Sequence, residues 1–161
     1  MFVRYFVEIA LPCDAVETVV TASPETWLPV MATEADESGQ RLLADAGIGH
    51  DFRIGRTVEL DVGPPIRLST KTLIPLGWRS TGAASLFPAM EADLEIAPLG
   101  DHRCQLALNG RYRPPMRSLG RVLDRALLSR VAEATVKDFL DHVRDRILQE
   151  TSRAALAETK G

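Results

Sequence analysis

The sequence predicts an α+β chain: a curved antiparallel sheet wrapped around one long C-terminal helix, with a short helical insert after the first strand. Three observations carry this. Leu119–Leu148 holds no proline and, after Gly120, no glycine, so a continuous helix there would be about 45 Å long. Phe2–Leu11 alternates as a strand and is followed by helix signals rather than by a hairpin. From Phe52 to Tyr112 apolar residues recur in even-numbered phase, broken by Gly and Pro turns.

In the first strand Val3, Tyr5, Val7, Ile9 and Leu11 share one face, and Arg4 and Glu8 the other. Pro12 ends it. Asp14 is read as the cap of a helix to about Ala22, with Val16, Val19 and Val20 apolar. Ser23-Pro24 restarts a helix with a cap and a first-turn proline. Trp27, Leu28, Val30 and Met31 form its buried side, disturbed by Pro29. An acidic turn is expected at Glu34–Glu37, then a segment with Leu42 and Leu43 that stops at Gly47 and Gly49.

The sheet follows. Phe52, Ile54, Val58, Leu60 and Val62 keep one parity across Gly55-Arg56, which favours one bent strand over a hairpin. Gly63-Pro64-Pro65 reads as a three-residue turn, after which Ile66, Leu68, Thr70, Thr72, Ile74 and Trp78 continue the even face. Ser80–Pro88 is a small-residue loop. Met90, Ala92, Leu94 and Ile96 alternate with Glu91, Asp93 and Glu95; Cys104, Leu106, Leu108, Gly110 and Tyr112 alternate with Arg103, Gln105, Asn109 and Arg111.

The long helix has two apolar stripes. Leu119, Val122, Leu123, Ala126 and Leu127 make one; Leu128, Ala132, Val136, Phe139, Val143 and Ile147 lie nearly opposite. The first turns should therefore be roofed by something other than the sheet, the middle buried on most sides, and the last turns laid on the sheet. Residues 1–148 are expected to form one domain and 149–161 a polar, frayed tail.

At 161 residues the chain can bury roughly two-thirds of its unfolded surface. A net charge of -3 with scattered basic residues gives no reason to expect nucleic acid. No stretch is long and apolar enough to span a bilayer, and the chain opens directly on a strand, so a cytoplasmic placement is expected. Cys13 and Cys104 match no metal spacing and are expected to be free thiols in a reducing compartment. The histidines, His50, His102 and His142, are dispersed, so neither a metal nor a cofactor is expected.

The stretches RYFVEIALP, FRIGRTVEL and GRYRPPMRSLGRVLDRALLSRVAEATVKDFL resemble those of bacterial members of the START-like SRPBCC superfamily, which has the helix-grip fold. That superfamily includes the birch pollen allergen family, START lipid-binding domains and polyketide cyclases or aromatases. The resemblance spans residues 1 to about 148 and implies a deep, mostly apolar cavity between the sheet and the last helix. It carries over no catalytic motif.

Parity then sorts the strands. The inward set is Tyr5, Val7, Val58, Leu60, Leu68, Thr70, Thr72, Ile74, Trp78, Met90, Leu94, Leu106, Leu108 and Tyr112, joined by Leu127 and Ala132 from the helix. Each also reads as a simple core residue. Polar handles are the two tyrosines, the Thr70 and Thr72 hydroxyls, the Trp78 indole and Cys104; the strand carboxylates all face outward. This composition suits a hydrophobic small-molecule ligand, a lipid or a polyketide-like aromatic, held without catalysis. The catalytic alternative is a cyclase, aromatase or hydratase using Tyr5, Tyr112 or a threonine hydroxyl as proton donor. His50 beside Asp51 is a weaker acid–base candidate. Arg103, Arg111 and Arg113 are expected to pair across strands with Glu91, Asp93 and Glu95. Phe2 and Phe6, outward on the first strand, form an apolar patch on the convex face. A second copy of the chain or the C-terminal tail is expected to cover it.

Overall fold

In the computed structural model, which describes residues 1–45, 47, 58–80, 89–113 and 125–159, β1 (Phe2–Ile9) buries Val3, Val7 and Ile9 and exposes Phe2, Arg4, Phe6 and Glu8. α1 (Cys13–Thr21) starts directly after Pro12 and has no side-chain cap. Asp14 instead sits in the first turn, where its Oδ1 accepts from the Ala15 amide at 2.8 Å and its charge suits the helix dipole. α2 (Pro24–Asp45) begins at the expected proline. It runs unbroken through residues 34–37, where a turn was expected, because Leu28, Ala32, Ala35, Asp36, Gly39 and Leu43 keep a buried stripe at helical spacing. Gly47, at φ +77°, donates its amide to the Ala44 carbonyl and closes the helix.

β2 (Val58–Val62), β3 (Ile66–Arg67), β4 (Thr72–Ser80), β5 (Met90–Pro98) and β6 (Cys104–Tyr112) complete an antiparallel sheet in the order β1-β6-β5-β4-β2, with β3 also paired to β4. Phe52, Ile54, the Gly55 bend and most of the loop before Pro88 lie outside the described residues. Glu91 stands opposite Arg111 as expected, while Asp93 faces Asn109. Among the described residues Arg103 pairs instead with Glu8 of β1, and Glu95 with Lys71.

The passage from β2 to β3 differs from the sequence reading. Both strands run along β4: Val62 faces Leu76 and Ile66 faces Leu73. Gly63, Pro64 and Pro65 therefore stand opposite only Ile74 and Pro75. The extra residue makes a bulge and flips the face of β3, while β4 keeps its even residues inward. The Gly63 amide donates to the Pro75 carbonyl at 2.8 Å, and a Cβ on Gly63 would lie 3.1 Å from that of Pro75. The chain reverses later, where the Leu68 amide donates to the Lys71 carbonyl. Ile66 thus shares the outer face with Leu73, and Leu68 and Thr70 fall in an exposed turn instead of facing inward.

α3 (Arg125–Glu158) lays Ala132, Val136, Phe139, Val143 and Ile147 on the sheet. Its other stripe, through Leu127 and Val131, packs on Leu43 of α2. The two stripes serve two partners. The helix continues through the expected frayed tail to Glu158, held by Arg146–Glu150 and Arg153–Glu150 pairs and by alanines that favour helix. No helix among the described residues is long and apolar enough to cross a membrane.

The cysteines are not free thiols. Cys13 and Cys104 form a disulfide, 91 residues apart in sequence, with Cα atoms 4.8 Å apart. Cys104 faces Ile9 across the sheet, and Pro12 turns the chain so that Cys13 comes back over it.

Candidate functional site

The inner face of the sheet has two regions of different character. In its middle, Ile74, Leu94, Leu106 and Leu108 have no surface left for a water molecule to touch, and the same holds for Phe139 of α3. These residues, with Val7 and Ala132, fill a packed core.

The end of the sheet where β4 stops and β5 starts is different. Leu60, Trp78, Met90 and Tyr112 stand in one row across β2, β4, β5 and β6. Val58 lies beside them, buried; Leu60 is half-buried. The Trp78 ring meets Phe139 edge-on, with centroids 5.4 Å apart. Thr135 stands one turn before Phe139 on α3 and is fully buried. Two polar atoms of this row, Trp78 Nε1 and the Tyr112 hydroxyl, and the Thr135 hydroxyl on α3 are buried without a hydrogen-bond partner. Leaving such a group unsatisfied costs about 1–3 kcal/mol, so each marks a place where a ligand or water oxygen is wanted.

Met90, between Trp78 and Tyr112, fits this role by being movable. Its sulfur lies over Gly110, where a Cβ would come within 2.7 Å of it. A flexible thioether between Trp78 and Tyr112 can serve as a plug.

Other expected positions separate from this end. Tyr5, on the strand at the sheet's edge among the described residues, is half-buried: it packs against the core and also lines an open groove with Arg4, Arg130, Glu133 and Lys137. Thr72 is buried at the opposite end of β4. Leu127 is half-buried against α2, and Cys104 is spent in the disulfide. His50 and Asp51 lie outside the described residues. A pocket of about 710 Å³ opens on the outer face between Phe2, Asp61, Gly77, Glu91 and Arg111.

Two buried polar residues escaped the sequence reading. Thr135 sits between the two apolar stripes of α3, and Asp36 lies on the buried stripe of α2. Asp36 Oδ2 accepts from Gln40 Nε2 at 2.6 Å. A reading of α2 as one continuous helix would have found Asp36. On the surface, the Asp141 carboxylate accepts a hydrogen bond from Lys137 at 2.6 Å and raises the lysine pKa above its usual value.

The strand order, the helical insert and the long final helix gripped by the sheet define a START-like helix-grip fold. Solved structures agree. A START superfamily protein from Mycobacterium smegmatis is 12% identical, with 92% of this chain and 97% of that one covered and a TM-score of 0.50. A conserved protein from Geobacillus kaustophilus is also 12% identical, with 92% and 96% covered and a TM-score of 0.51. Likeness at this identity is one of fold. No protein-family model and no curated protein matches the chain.

Proposed function

We propose that the protein binds an uncharged, oxygen-bearing apolar small molecule, a lipid or a polyketide-like aromatic, at the Trp78–Met90–Tyr112 end of its interior. The supporting observation is the set of unpartnered Trp78, Tyr112 and Thr135 polar atoms in otherwise apolar surroundings. An indole N–H and two hydroxyls suit carbonyl or hydroxyl oxygens. No strand carboxylate or lysine shares this inner face among the described residues, so a charged ligand group would go unpaired. The site lies at one end, with Met90 moving aside on binding.

Native mass spectrometry of freshly purified protein, and titration with an apolar fluorescent probe, test this. Bound small molecule, or probe binding that weakens in Tyr112→Phe, is expected. A chain that is always empty and takes no probe overturns the reading. The catalytic alternative demands more: turnover that disappears in Tyr112→Phe while the variant stays folded.

A further inference from the structure

Among the described residues the sheet ends at β1, and no strand pairs with the far side of it. Met1 and Tyr112 exchange both backbone hydrogen bonds, at 2.7 and 2.9 Å. This sets the alternation along β1: Val3, Tyr5, Val7 and Ile9 bond to β6, while the N–H and C=O groups of Phe2, Arg4, Phe6 and Glu8 point away from it. No strand among the described residues takes them up. The edge holds no proline, no bulge and no lysine, the usual devices that keep another strand away. A groove of about 340 Å³ opens between Arg4 and Tyr5 of this strand and Arg130, Glu133 and Lys137 of α3. On the outer side, Phe2 and Phe6 are 65% and 54% exposed.

We infer that the β1 edge is a homodimer interface in which two copies add their first strands antiparallel, across a two-fold axis at Phe6. The side chains select this register. An axis at Arg4 would set Arg4 against the partner's Arg4. An axis at Tyr5 would leave both charges opposite phenylalanines. With the axis at Phe6, each Arg4 stands opposite the partner's Glu8, and Phe6 lies against the partner's Phe6. The charge pair then occurs twice, as a symmetric interface requires, and opposite charges directly across an antiparallel pair are favourable. On the inner face the same register sets Tyr5 against the partner's Val7. Glu8 is 3.5 Å from Arg103, a loose and exposed contact that leaves it able to turn. The two six-stranded sheets join into one. This interface is independent of what the interior binds.

Sedimentation analysis of the full chain from micromolar to submillimolar concentration tests it. A dimer is expected for the natural sequence, and a monomer for Phe6→Lys. Arg4→Glu or Glu8→Arg alone should weaken dimerisation at least about tenfold, and the two together should restore it. All three side chains are exposed, and circular dichroism checks that each variant keeps its fold. A natural chain that stays monomeric, a dimer indifferent to Phe6→Lys, or a double swap that fails to recover association overturns the proposal.

Discussion

Tyr112 and Thr135 each bury a hydroxyl with nothing to bond. Removing such a group while keeping its shape relieves a desolvation cost. Tyr112→Phe and Thr135→Val are therefore expected to leave the empty protein as stable as before, or more stable by about 1 kcal/mol. Urea denaturation measures this, and probe affinity should fall in the same variants. Stability that rises while binding weakens is the signature of a group kept for a ligand. The sequence made Trp78 and Tyr112 legible because strand period fixes which face a residue takes. It could not separate Ile74 or Leu94 from them, because parity says inward without saying whether a neighbour already fills the space. Thr135 and Asp36 were hidden for another reason: a search for apolar stripes passes over a polar residue that lies on one, as Asp36 does, or between two, as Thr135 does.

At the scale of elements, alternation carried the reading as far as it held. β1, β5 and β6 emerge in the expected phase because no extra residue interrupts them. At Gly63-Pro64-Pro65 the same rule failed, since a bulge and a turn look alike in sequence when both are made of glycine and proline. One added residue moved Ile66 to the outer face and left Leu68 and Thr70 in the following turn. Gly110 gives the element-scale prediction. Gly110→Ala drives a methyl into the Met90 sulfur and up to Val3. It is expected to cost about 1–2 kcal/mol and to displace the plug, seen as a lower denaturation midpoint together with altered probe affinity. Unchanged probe affinity would separate Met90 from the site.

For the whole molecule, the fold class was legible from one long helix and one phased sheet, whereas the Cys13–Cys104 bond was not. A pairing across 91 residues depends on where Pro12 turns the chain, which no local pattern records. The bond should contribute about 2–4 kcal/mol by restricting the unfolded chain. Thermal unfolding with and without reductant, and of the Cys13→Ala/Cys104→Ala variant, is expected to show that loss. Truncation after Thr151 is expected to leave the midpoint nearly unchanged, because the last helical residues are exposed.

The bond also gives the molecule a polarity. It rivets the start of α1 to the end of the sheet where Ile9, Pro98 and Cys104 meet. The unpartnered Trp78 and Tyr112 atoms belong to the other end of the same strands. Opening motions are thereby restrained at one pole, so amide exchange should be slowest around Cys104 and quicken along β6 toward Tyr112. Cutting the rivet should even out that gradient and, on the proposed function, speed the release of a bound probe.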